Sequence, residues 1–266
     1  RATSRNAVLR VLERLDRFTL QVLEAVVALG DDRLSAPVGV TASDLAGALG
    51  LTPAPAKDPL ASAVERLLDL ALIWPDRGRL RPVQVLRDLL PTPARLGPPA
   101  RVLLAALPHH AVKRLADDLA PQSAADTPIE TVASLLAVPE RVAELVDGAG
   151  GEPQARRLLD GMAWGPPHGT VSDARREVTL ADAVSPVDTL IARALLLPSG
   201  DDTLTLPREV ALFLRSGLLF REVTTDPPAF SGTGNPREAV TRAAAGQVFI
   251  VLRSVEELLE EWSREP

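Results

Sequence analysis

The sequence predicts a mainly α-helical protein with short β-hairpins, organised as two copies of one module. Two repeated phrases and the composition carry that prediction. Around Arg66 the chain reads RLLDLALIW, then PDRGRL, then RPVQVLRDLL: the end of an amphipathic helix, a polar turn, and an apolar run that resumes. From Ala192 the same order returns as ARALLLP, SGDDTL and TLPREVALFL, while RLLDGMAWGPPHG from Arg157 to Gly169 echoes the RLLD…W wording. Hydrophobic residues fill 46% of the 266 positions but aromatics only 3%, so the cores must be built from Leu, Val and Ala, and Ala and Leu lead the helix-propensity scale. Helix, hairpin, helix is how a winged-helix module ends. The expected architecture is therefore tandem winged-helix modules joined by a helical linker.

Residues Asn6 to Leu29 carry apolar positions at helical spacing, from Val8 and Leu12 to Leu23 and Val26, which predicts one long helix stopped by Gly30. Asp31-Asp32 opens a loop. Thr41, with Asp44 three residues on, has the spacing of a capping box and starts a short helix that ends by Gly50. Asp58 caps the next helix with Pro59 at its first position, where the missing N–H costs nothing. Leu60, Ala63, Val64, Leu67, Leu68 and Leu72 form its buried stripe. A hairpin of Ile73–Trp74 and Leu80–Val83 follows, joined by Pro75-Asp76-Arg77-Gly78-Arg79. This first module spans residues 1–90.

Proline and glycine interrupt the chain from Pro91 to Pro99, and Arg101 to Leu119 reads as a helix pair or a bent helix. With the polar loop Pro121–Pro128 this makes a helical linker over residues 91–128. The second module, residues 129–222, has helices expected at Ile129–Leu136, Pro139–Val146 and Glu152–Met162, then a turn at Trp164–Gly169. A short helix over Ser185–Leu195 leads to a second hairpin of Leu195–Leu197 with Thr203–Leu206, and a helix begins at Pro207. Residues 223–266 hold a Pro/Gly/Thr-rich stretch, Thr224 to Asn235, expected to be mobile, and an amphipathic helix from Arg237 to Trp262. Such a helix, ending in Glu256, Glu257, Glu260 and Glu261, expects something to pack on, and implies a longer protein.

Composition excludes several functions. There is no Cys, hence no disulfide framework, thiolate metal site or cysteine nucleophile. No run approaches the roughly 20 apolar residues that span a bilayer, and the first residues do not read as an apolar h-region. A soluble, cytoplasmic protein with no membrane partner is expected. The net charge of −6 argues against a chain dedicated to coating DNA. A phosphate-cradling G-x-x-x-x-G-K-[ST] loop is missing, and neither lysine, Lys57 or Lys113, follows a glycine. The glycine-rich stretches at Gly148–Gly151 and Gly232–Gly234 read as loops. No G-x-S-x-G elbow is present. His109, His110 and His168 lack convergent carboxylates, so they read as structural, with no metal and no cofactor expected. The segment is expected not to be an enzyme.

The sharpest candidate site is the first hairpin. Arg77, Arg79 and Arg81 alternate, so in an extended strand their side chains share one face and could straddle phosphates or enter a minor groove. The same pattern also fits a solvated hairpin in an Arg-rich chain. The second hairpin carries Asp201 and Asp202 instead, which would repel DNA. The helix before the first hairpin presents Ala61, Ser62, Glu65, Arg66 and Asp69 outward, a poor set for reading base edges, which favour Arg, Lys, Asn or Gln. Trp74 and Trp164 are expected to close small cores at the ends of the third helices; base stacking is the functional alternative.

The phrases LDRFTLQVLEA (Leu15–Ala25), AWGPPHG (Ala163–Gly169) and LPREVALFLRSG (Leu206–Gly217) resemble the N-terminal part of actinobacterial helicase-associated proteins, the XPB-type helicase N-terminal/C-terminal-associated domain family. The resemblance covers nearly the whole chain in matching order, and the Arg, Ala, Pro and Gly bias is similar to that of high-GC bacteria. It implies winged-helix architecture, a helicase or other protein partner, and an accessory role in DNA repair or processing. It brings no catalytic residues. The expected function is a non-catalytic docking module with weak, sequence-independent DNA binding through Arg77, Arg79 and Arg81. The competing expectation is a dimeric winged-helix transcription regulator or chromosome-organising protein.

Overall fold

Caps and apolar spacing place most helices where the sequence expects them. The computed structural model describes residues 5–30, 39–51, 58–121, 125, 127–149, 153–225, 241, 244–245, 248, 252–256 and 262. The loops expected at Asp31-Asp32, at Pro121–Pro128 and at Thr224–Asn235 fall wholly or partly outside these residues, as do Gly150, Gly151 and the Gly232–Gly234 stretch. Contacts divide the chain into two units, Arg1–Thr225 and Asp226–Pro266. The first unit is mainly helical with two small antiparallel sheets.

The expected Asn6–Leu29 helix is two helices, α1 (Arg5–Leu12) and α2 (Arg17–Leu29). Asp16 causes the break: its carboxylate accepts the Thr19 N–H at 2.8 Å and the Thr19 hydroxyl at 2.7 Å, so α2 starts afresh from a cap. Next comes α3 (Ala42–Ala48), whose Thr41–Asp44 capping box is formed in both directions at 3.1 and 3.0 Å. Helix α4 (Pro59–Asp69) follows, with Asp58 accepting from the Leu60 and Ala61 N–H groups. Leu60, Ala63, Leu67 and Leu72 are buried, as the α4 stripe predicts. Strands β1 (Ile73–Asp76) and β2 (Arg79–Pro82) form the hairpin, followed by α5 (Val85–Leu89), which packs on α1. Both turn residues have positive φ, Arg77 at 50° and Gly78 at 78°, the backbone of a two-residue type I′ turn. The hairpin is therefore tighter, and its strands longer, than the five-residue connection expected. Val40 joins the outer edge of β2 through paired bonds with Leu80 at 3.0 and 2.8 Å.

Helices α6 (Ala100–Ala105) and α7 (His109–Leu119) are the expected pair, divided at Pro108. The stretch before them is packed: a short 3-10 turn at Pro93–Arg95 lies against α2, and Ala94, Leu96 and Ala100 are buried. A Cβ at Gly97 would lie 2.3 Å from the Leu206 carbonyl oxygen, so this crossing requires glycine.

The remaining elements are α8 (Pro128–Leu136), α9 (Pro139–Ala149), α10 (Pro153–Trp164), β3 (His168–Thr170), α11 (Pro186–Ala192), β4 (Leu197–Pro198), β5 (Thr203–Thr205) and α12 (Arg208–Leu214). The turn expected at Trp164–Gly169 leads directly into β3, so the second hairpin sits in a three-stranded sheet ordered β3-β5-β4. The first hairpin has the same order, since Val40 and β1 lie on opposite sides of β2. In both places the helix before the hairpin ends alike. After α4, Ala71 has φ 52°, its N–H bonds Leu68 O, and Leu72 N–H bonds Leu67 O; after α11, Ala194 has φ 55° with the matching bonds to Ile191 and Leu190. These are two Schellman caps built on alanine. The structural repeat therefore sets α11 against α4, Ala194 against Ala71 and Leu197 against Trp74.

In the second unit the described positions are helical, and Val248, Leu252, Val255 and Trp262 are exposed.

Candidate functional site

The three hairpin arginines do not share a free face. Arg77 sits in the turn with positive φ, so the strand alternation that would align it with Arg79 and Arg81 stops one residue short of it. Its side chain is exposed. Arg79 donates from Nη1 to the Gly39 carbonyl at 3.0 Å and stands 3.8 Å from the Asp44 carboxylate, on the wall of a cavity of about 960 Å³. Arg81 pairs with Asp76 at 3.0 Å, and its guanidinium lies 5.2 Å from the Trp74 ring centroid. Arg79 therefore braces the hairpin against Gly39 and α3, Arg81 ties β2 to β1 within the hairpin, and Arg77 is the cation left at the tip.

Helix α4 presents Ala61, Ser62, Glu65, Arg66 and Asp69 to solvent, as its pattern predicts. At the second tip, Asp201 pairs with Arg175 at 3.0 Å, and the Asp201 and Asp202 carbonyls accept from Ala174 and Val171. These acids tie down the segment after β3. The tryptophans differ from expectation. Trp74 lies in β1 and is 44% exposed, so it closes no core, and the Arg81 guanidinium lies over its ring. Trp164 ends α10, which leads into β3 as α2 leads towards Val40, so it is not the repeat partner of Trp74. It is half-buried. His110 bonds Glu177 at 2.9 Å, and His168 pairs with Thr205 across the sheet. Among the described residues no group of His, Asp or Glu is placed to hold a metal ion, and no helix is long and apolar enough to cross a membrane.

A second cluster was not visible in the sequence. Arg215, 3% exposed, has no carboxylate partner among the described residues; its guanidinium donates to the carbonyls of Ala163, of Ala94 at 2.9 Å, of Leu219 at 3.0 Å and of Arg95 at 3.2 Å. It also lies 4.7 Å from the Trp164 ring centroid, and Arg221 lies 5.2 Å from the same ring. Burial, reinforced by the neighbouring Arg221 charge, pushes the Arg215 pKa down to about 10. These groups border a cavity of about 540 Å³ whose other wall is one face of α2, Arg17, Gln21 and Glu24, at spacings of four and three residues. Glu24 accepts the Ala94 N–H at 2.7 Å, and burial raises its pKa against that bond and the Arg95 charge. The residues of this cluster lie far apart in sequence, and only the packing of α2, α10 and the end of α12 assembles them.

Comparison with family models, with curated proteins and with solved structures gives no match.

Proposed function

We propose that this chain is a non-catalytic accessory module of an XPB-type helicase, built from two winged-helix-like modules, that docks on protein and touches DNA weakly without reading its sequence. The observation that carries the proposal is the repeated topology. A helix, then a segment that pairs with the far strand of a following hairpin, occurs once as α2, Val40 and β1-β2, with α3 and α4 between, and once as α10, β3 and β4-β5, with α11 between. The first order supports a winged variant of the helix-turn-helix, and the second resembles it with one helix fewer. The α4 surface, with Glu65 and Asp69 beside one Arg66, supports docking over base readout. DNA contact falls to Arg77, while Arg79 and Arg81 hold the hairpin's shape.

Fluorescence anisotropy with labelled duplex, forked and single-stranded DNA at two salt concentrations tests the DNA part. Weak binding that salt reduces, that is indifferent to sequence and that Arg77→Ala diminishes supports it. A stable dimer bound to a palindrome would replace it with a transcription regulator. Co-purification with an XPB-type helicase tests the docking part, and failure of the two to associate would remove it.

A further inference from the structure

We infer that the cavity beside Trp164 binds a nucleoside phosphate monoester, either as a free nucleotide or as the 5′-phosphorylated end of a nucleic-acid strand. The charge on its walls is the first reason. Four guanidiniums, from Arg17, Arg95, Arg215 and Arg221, face two carboxylates, Glu24 and Glu222. The excess of two positive charges matches a phosphate monoester dianion. Several arginines elsewhere in the same unit are paired: Arg101 with Glu130 at 2.6 Å, Arg176 with Asp188 at 2.8 Å, Arg156 with Asp160 at 3.0 Å. None of the four at this cavity is ion-paired among the described residues. Guanidiniums in excess of the carboxylates around them cost free energy, and an arriving anion reduces that cost. Planar guanidinium forks match phosphate oxygens in pairs.

The polar atoms give the second reason. Gln21, 7% exposed, donates through Nε2 to the Glu222 carbonyl at 3.2 Å, while its Oε1 is buried with no hydrogen-bond partner. An acceptor in want of a donor suits a ligand bearing hydroxyl or amino groups, as a sugar and base do. Glu24 already spends Oε2 on the Ala94 N–H. Shape is the third reason. The volume of about 540 Å³ is that of a small-molecule site, and the exposed Arg221, laid over the Trp164 ring, gives a flat guanidinium for a base to stack on. The lip is also unusual: Ala94 and Arg95 both have positive φ, 52° and 56°, a costly conformation for two consecutive non-glycine residues.

The test uses the full chain with Trp74→Phe and Trp262→Phe, so that fluorescence reports Trp164. Inorganic phosphate, adenosine monophosphate, and one oligonucleotide with either a 5′-phosphate or a 5′-hydroxyl are titrated at low salt. The expected result is a saturable change with the monophosphate, the 5′-phosphorylated strand or both, at least ten-fold weaker with the 5′-hydroxyl strand. Response to both phosphorylated probes marks a general monoester site; response to the strand alone marks an end-binding site. Arg17→Ala and Arg221→Ala, at exposed positions that leave the buried Arg215 network intact, should each weaken binding at least five-fold. Arg77→Ala should leave it unchanged, which separates this site from the hairpin. No saturable response to any phosphorylated probe, or equal affinity in the Arg17→Ala/Arg221→Ala double variant, would overturn the inference.

Discussion

The two hairpins share a topology and differ in what covers them. In the first, the edge strand is a single bridging residue, Val40, and the hairpin's inner tryptophan, Trp74, stays 44% exposed with Arg81 against it. In the second, β3 contributes a full strand and the residue equivalent to Trp74, Leu197, is 1% exposed. Charge divides the same way. Arg79 and Arg81 brace the first hairpin, while Asp201 and Asp202 anchor the chain after β3 in the second. One scaffold thus yields an open ribbon with a free cation at its tip and a three-stranded sheet whose β4 and most of β5 are buried while β3 stays exposed.

The largest effect that would sharpen this contrast lies in the arginines near the two tryptophans. Arg215→Ala strands several buried carbonyls and is expected to cost about 3–5 kcal/mol in urea denaturation, whereas Arg81→Ala, which breaks a partly exposed pair, should cost about 0.5 kcal/mol. Similar losses from the two would remove the distinction between the buried guanidinium beside Trp164 and the partly exposed one beside Trp74. Next in size, Leu197→Ala should cost about 2–4 kcal/mol and Trp74→Ala about 1 kcal/mol, because only the first opens a cavity in a closed core.

A pH experiment separates the two capping boxes. Asp44 and Asp188 both have pKa values below the ordinary 3.8, Asp44 chiefly through its bonds to Thr41 and Asp188 chiefly through its bond to Ser185. A depressed carboxylate contributes stability at neutral pH that is lost as pH falls below 3.8 through the folded value. Asp188→Asn should therefore flatten the acid limb of the stability curve. It should do so more than Asp44→Asn, because Asp188 is 9% exposed and also holds Arg176. The smallest change is a gain. Ala71→Gly relieves a left-handed alanine at an exposed position and should stabilise by about 0.5–1 kcal/mol, while Ala194→Gly should gain less because it removes a buried methyl. Equal gains at both sites would mean that the second cap is no more buried than the first.

Much of this was legible in the chain. Thr41–Asp44, Asp58-Pro59 and the Leu60–Leu72 stripe act locally, through hydrogen bonds and spacing within one or two turns, and they fall where they were expected. The repeat was legible only in part. ARALLLP does align with the end of α4, yet the more literal RLLD…W echo places Trp164 on a helix of a different kind, because shared wording records composition and helix-forming tendency, not position in a sheet. The hairpin arginines were individually correct as cations but not as a set: the two-residue turn took Arg77 out of the strand.

The sequence by itself determined where most helices begin, that the cores are aliphatic, and that a hairpin connection within Pro75–Arg79 would follow α4, since caps, periodicity and turn chemistry act over a few residues. Only the tertiary structure decided which arginines are paired, which tryptophan is covered, and that Arg17, Gln21, Arg95, Trp164, Arg215 and Arg221 meet around one cavity. Pairing and burial depend on neighbours distant in the chain, and Coulomb and solvation energies are set by distance in space, not along the sequence.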